Sequence, residues 1–120
     1  MSRYIDGFVL PLPKDKIEFY QAVATKCGAI WKEHGALEYI EAVGDDLDIK
    51  DLISFRTLAG TSPEETVVFA YIVYESREHR DAVNAKVFAD PRLHALFDPA
   101  DPTFDCKRMA CGGFKSIVEV

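Results

Sequence analysis

Hydrophobic residues in this chain recur with two periods, and the switches between them mark out its elements. "YIDGFVL", Tyr4 to Leu10, reads as a strand ended by the Pro11 and Pro13 punctuation. From Lys14 to His34 the spacing turns helical. Tyr20, Val23, Ala24, Cys27, Ile30, Trp31 and His34 fall at three- and four-residue spacings and share one face. Gly35 then suits the left-handed position just past a helix end. "LEYIEAV", Leu37 to Val43, alternates as a second strand. Residues 44–52, "GDDLDIKDL", form an acidic loop, and "ISFRTLA", 53–59, reads as that strand resumed before the turn "GTSPEE". "TVVFAYIVY", Thr66 to Tyr74, is the strongest strand pattern in the chain. Ser76 serves as N-cap of a helix that runs to about Ala89 and is closed by Asp90-Pro91. "RLHALF" adds a helical turn or two, "DPADPTFD" is a loop at 98–105, and "RMACGGFKSIVEV" is a last strand with a Gly112-Gly113 bulge or bend.

The order is β-α-β-β-α-β, which predicts a ferredoxin-like α+β fold: a four-stranded antiparallel sheet with helices on one face, as a single domain over 1–120. Strand 66–74 is apolar at nearly every position, so both of its faces call for cover. Right-handed crossovers put both helices on the same side of the sheet. The chain shows no spare element for the other side, and a second copy packed sheet against sheet is the simplest cover. A homodimer is therefore expected, and a charge at either Val68 or Phe69 is expected to be poorly tolerated.

Composition narrows the partners. Among 120 residues, hydrophobic types make up 48% and charged types 28%, as in an ordinary globular chain. The formal net charge of -6 argues against nucleic acid and anionic membrane, which both need a basic face. No stretch approaches the roughly 20 apolar residues of a membrane span, and the N-terminus lacks the pattern of a signal peptide. Cys27, Cys106 and Cys111 are odd in number and form no CxxC pair, so reduced thiols in the cytoplasm are expected. Neither the cysteines nor the three scattered histidines have the spacing of a metal site, and no cofactor motif is present.

Three constellations carry candidate chemistry, each with a plain alternative. At about 100° per residue, Tyr20, Cys27, Trp31 and His34 share a sector roughly 60° wide, directed at the sheet. His34 then either caps the helix end, where its charged form is favoured, or serves as a polar handle in a pocket walled by Trp31, with Tyr39 or Met109 as its neighbour from the sheet. On the second helix His79, Val83 and Lys86 run along one edge and Arg80 and Asn84 along the next. They form either a solvated face, or a site or dimer contact using His79, Asn84 and Lys86. On the closing strand Met109 and Cys111 share a face opposite Arg108, a soft pair suited to an apolar ligand near Trp31 or to plain packing. The candidate ligand-binding residues are thus Trp31, His34, Tyr39, His79, Met109 and Cys111. No catalytic residue and no metal ligand is assigned.

The blocks "YIDGFVLPLPK", "IWKEHGALEYIEAVGDD", "VVFAYIVYESREHRDAVNAKV", "ADPR" and "FDCKRMACGGFKSIVEV" resemble the bacterial YbaA-like proteins, a domain-of-unknown-function family, over nearly the whole chain. The resemblance implies membership of the dimeric α/β-barrel superfamily, in which two ferredoxin-like protomers pair. It carries over no catalytic residue, and relatives in that superfamily range from cofactor-independent monooxygenases and haem enzymes to binding and stress-related proteins. The function expected is binding of a small apolar or aromatic molecule between helices and sheet, extended in one reading to oxidation without a cofactor. The alternative is a non-catalytic binding or stress-associated dimer. The space between the Trp31 helix and the sheet discriminates between them.

Overall fold

The computed structural model describes residues 2–98, 100–101 and 106–120. β1 (Tyr4–Pro13) leads through a 3₁₀ turn at Lys14–Lys16 into α1 (Ile17–Glu33). β2 (Glu38–Val43), α2 (Phe55–Ala59), β3 (Glu65–Tyr74), α3 (Arg77–Phe88), α4 (Pro91–Ala95) and β4 (Ala110–Lys115) follow. The strands form one sheet in the order β2-β3-β1-β4 with every neighbouring pair antiparallel. This is the ferredoxin-like arrangement expected from the element order.

The helix-facing side of the sheet holds the core. Tyr4, Phe8, Tyr39, Ile72 and Tyr74 pack there against Cys27 and Ile30 of α1, Val83 and Val87 of α3, and Leu93 of α4. The starts of α3 and α4 are each fixed by a short side chain. Ser76 Oγ accepts from the His79 amide at 3.0 Å, and Asp90 Oδ1 accepts from the Arg92 amide at 2.9 Å with Pro91 in the first turn. α1 ends at His34, and Gly35 follows with φ 118°, a conformation that suits glycine.

The structure departs from the sequence pattern in four places. β1 continues through Pro11 to Pro13 and does not stop at Leu10. β4 pairs only with residues 4–9, so beyond Val9 the strand has a free edge where a missing N–H costs no ladder bond. Residues 55–59 form α2 and do not resume a strand. Ser54 Oγ accepts from the Arg56 amide at 3.1 Å, and Gly60, at φ 66°, ends the turn, so two capping signals outweigh a short alternation. Arg108 lies in a 3₁₀ turn at Cys106–Arg108, where its guanidinium holds Glu65, and β4 begins only at Ala110. Gly112 and Gly113 pair in unbroken register with Gly7 and Asp6, without a bulge. Their use is close approach, since a Cβ at Gly113 would overlap the Tyr4 phenol. Of the loop expected at 98–105, residues 99 and 102–105 lie outside the described residues.

α2 also changes the account of the sheet's outer face. Phe55 meets Phe69 edge-on at 6.2 Å between ring centroids, so this helix covers part of the face for which the sequence offered no element. Ile40, Phe69 and Phe114 nevertheless stay exposed on that side.

Candidate functional site

A groove of about 530 Å³ opens between α1 and β2 on the helix-facing side, within the size range of small-molecule sites. Ile17, Tyr20, Ala24 and Gly28 line it from the helix, Tyr39, Glu41 and Val43 from the edge strand, and Leu12 and Val68 from below. Small residues on α1 make the geometry. A Cβ at Gly28 would stand 2.8 Å from Tyr39 Cδ1, so only glycine lets this ring lie against the helix backbone.

The polar centre of the groove is Glu41. Alternation along β2 puts Tyr39, Glu41 and Val43 on one face, which sets a carboxylate among apolar walls. The Tyr39 hydroxyl donates to Glu41 Oε2 at 2.5 Å, and the Tyr20 hydroxyl donates to Glu41 Oε1. Burial, followed by the hydrogen bond to Glu41, pushes the Tyr20 phenol well above its ordinary value. Burial, followed by the charge of Glu41, does the same to Tyr39. The Cys27 thiol behind them is pushed up to about 11, first by burial and then by Glu41. All three groups stay protonated near neutral pH, so the carboxylate is framed by neutral donors. Lys32, at the rim, spends its ammonium on the Leu37 carbonyl at 2.7 Å.

The six residues singled out from sequence scatter around this groove. Tyr39 lines it. Trp31 packs behind Tyr39, with ring centroids 5.9 Å apart, meets Phe88 edge-on, and donates its indole N–H to Asn84 Oδ1 at 3.1 Å. His34 caps α1 and packs against the start of α4, its Nε2 2.9 Å from Asp90 Oδ2. His79 Nδ1 accepts from the Glu75 amide at 3.0 Å, which makes Ser76 and His79 a reciprocal cap of α3. Cys111 lies on β4 and Met109 just before it, at the opposite end of the sheet from β2 and Tyr39. Cys111 is exposed there, contrary to the apolar face expected of it, because β4 is a short edge strand. No disulfide joins the three cysteines.

Two features escaped the sequence reading. Glu41 was legible as a carboxylate two residues from Tyr39 on the face that α1 covers. The other is Asp6, buried on β1. Its Oδ1 accepts from Arg80 Nη1 at 2.6 Å and its Oδ2 from Asn84 Nδ2 at 3.4 Å, while Asn84 Oδ1 also accepts from the Tyr74 hydroxyl at 3.1 Å. Arg80 lies over the Tyr4 ring, 4.9 Å from its centroid. This network ties β1, β3, α1 and α3 together. The α3 edge of Arg80 and Asn84 thus faces the sheet.

No helix among the described residues is long and apolar enough to cross a membrane. Among solved structures the fold is similar to a dimeric ferredoxin-like protein from an uncultured marine organism. The TM-score is 0.59 at 11% identity, over 100% of both chains. It is also similar to a nipsnap family protein with unknown function from Agrobacterium tumefaciens, with a TM-score of 0.53 at 15% identity over 95% of this chain and 87% of that one. In sequence the chain is 41% identical over 117 residues to the uncharacterized protein YbaA of Escherichia coli K12, covering 98% of each, and matches the same protein of Shigella flexneri equally well. Residues 3–106 match the family model described as protein of unknown function (DUF1428), and the chain belongs to that family.

Proposed function

We propose that this protein binds a small apolar or aromatic molecule in the α1–β2 groove, acting as a homodimer in the cytoplasm. The observation that carries the reading is Glu41, a half-buried carboxylate held by two phenols inside a mostly apolar groove, which Gln21, Thr25 and Lys32 also line. A carboxylate set among apolar walls is costly unless it is hydrogen-bonded, and a fold has no need to put one there for packing alone. Tyr39 forms a wall that the ligand touches, and Trp31 behind it reports on the ring. Holding is favoured over oxidation. His34 is committed to Asp90 and His79 to the Glu75 amide, which leaves Glu41 as the proton acceptor in the groove. A cofactor-independent oxidation would have to use it as its base.

The dimer is supported by Ile40, Phe69 and Phe114, exposed together on the outer sheet face, and by the dimeric assembly of the marine ferredoxin-like protein. The cytoplasmic location is supported by three cysteines outside any disulfide. The test of the groove is Trp31 fluorescence and thermal shift across a panel of small aromatic compounds. Saturable quenching that disappears on Ala24→Phe, which fills the groove, is expected. No response at millimolar concentration from any compound sinks the proposal.

A further inference from the structure

The charge balance of the groove points to a more specific ligand. Glu41 carries a negative charge, and both of its partners are neutral phenols. Among the described residues no Lys or Arg nitrogen comes within 4.0 Å of it, whereas the acids at Asp6, Glu65 and Asp90 each have an arginine. The lysine at the rim is turned to a backbone carbonyl. A carboxylate is an acceptor only, so a ligand that reaches Glu41 must bring a donor. An alcohol supplies the hydrogen but leaves the charge uncompensated, and an anion adds a like charge in a partly desolvated site. An ammonium supplies both hydrogen and charge, and the rings of Tyr20 and Tyr39 beside the carboxylate offer it aromatic faces. The net charge of -6 draws cations toward the molecule.

We propose that the groove selects small molecules that join a protonated amine to an apolar or aromatic body, with Glu41 as the residue that sets this specificity. The proposal rests on the groove-binding reading above, and its test separates the two. Phenylpropylamine, phenylpropanol and phenylpropanoate share a body and differ only at the polar end. Titrated at low salt with Trp31 fluorescence and calorimetry as readouts, the amine is expected to bind about tenfold more tightly than the alcohol, and the carboxylate most weakly. Glu41→Gln should weaken both ligands but abolish the amine's advantage, read as the ratio of amine to alcohol affinity in the same variant. Tyr20→Phe, which removes one phenol but keeps the charge, should retain the advantage and serves if the glutamine variant folds poorly. Equal binding of amine and alcohol to the native protein would overturn this proposal and leave the groove reading standing, as would an amine preference that survives Glu41→Gln. Failure of all three compounds to bind would overturn both.

Discussion

Val68 and Phe69 are consecutive on β3 and lie on opposite sides of the sheet. Val68 is 2% exposed and forms the floor of the groove, whereas Phe69 is 46% exposed beside Phe55 of α2. A strand apolar on both faces thus serves two purposes, one within the chain and one at its surface.

Charge at these two sites should therefore separate folding from association. Val68→Asp puts an unpaired carboxylate into the core and should cost several kcal/mol, about 3 or more. Phe69→Asp should leave the protomer fold intact but run in sedimentation at 13.5 kDa, where the native protein runs at twice that mass, and should melt lower only by the stabilisation that the lost partner supplied. A native protein that sediments as a monomer at micromolar concentration would leave the exposed sheet face without the proposed cover.

Gly28 sets how closely Tyr39 approaches α1. Replacing it with alanine improves helix propensity by about 0.5–1 kcal/mol, but the new methyl meets the Tyr39 ring near its root, where the ring cannot swing away cheaply. Overpacking should win, with a net loss of about 1–2 kcal/mol in denaturant unfolding and a changed Trp31 emission as Tyr39 is displaced. A stabilised Gly28→Ala protein with native emission would mean that the ring does not rest on the helix.

The Asp6–Arg80 pair is buried on the carboxylate side, so deleting only the arginine strands a charge. Arg80→Leu should cost about 3–5 kcal/mol, because Asn84, at 3.4 Å, is a poor substitute. Asp6→Asn in the Arg80→Leu background should recover part of that loss, since the stranded charge is gone. Chemical denaturation of the three proteins reads this directly. A mild Arg80→Leu phenotype would show that water reaches Asp6.

How legible these features were in the sequence depends on the range of the interaction behind each. The two main helices and the second and third strands follow from periods that a local window sees, and Ser76 and Gly35 act where the caps predict. β1 was cut short at Pro11 because a proline's tolerance depends on whether β4 reaches that far, which is a fact of register. α2 was read as strand because five residues with one arginine fit either period, and Ser54 and Gly60 decided it. The groove was harder. His34 and Trp31 drew attention as unusual residues on an inward sector, but that sector ends at α4 and α3, where Asp90 and Asn84 wait. The residue that matters, Glu41, looks like any solvated strand acid until β2 is placed beneath Tyr20.

The protonation states around Glu41 give a test with a defined sign. A buried acid with a raised pKa keeps its proton in the fold after the unfolded chain has lost it. Across that interval the folded state binds more protons, so stability falls as pH rises. For Cys27 the interval runs from the ordinary 9.0 to about 11. For Tyr20 and Tyr39 it begins at the ordinary 10.0 and extends further up. Each contribution is whole below its lower limit, so the melting temperature should be level between about pH 7 and 9 and then fall with increasing slope. Tyr20→Phe and Tyr39→Phe together remove two of the three groups and should flatten that fall, although the protein starts from a lower plateau for want of two hydrogen bonds to a charged group, each worth about 1.5–3 kcal/mol. Glu41→Gln should flatten it less, because burial is the first cause of every shift and survives the change. Phenolate absorbance followed in parallel shows which tyrosines ionise with unfolding. A double phenylalanine variant that loses stability above pH 9 as steeply as the native protein would move the alkaline transition away from the groove.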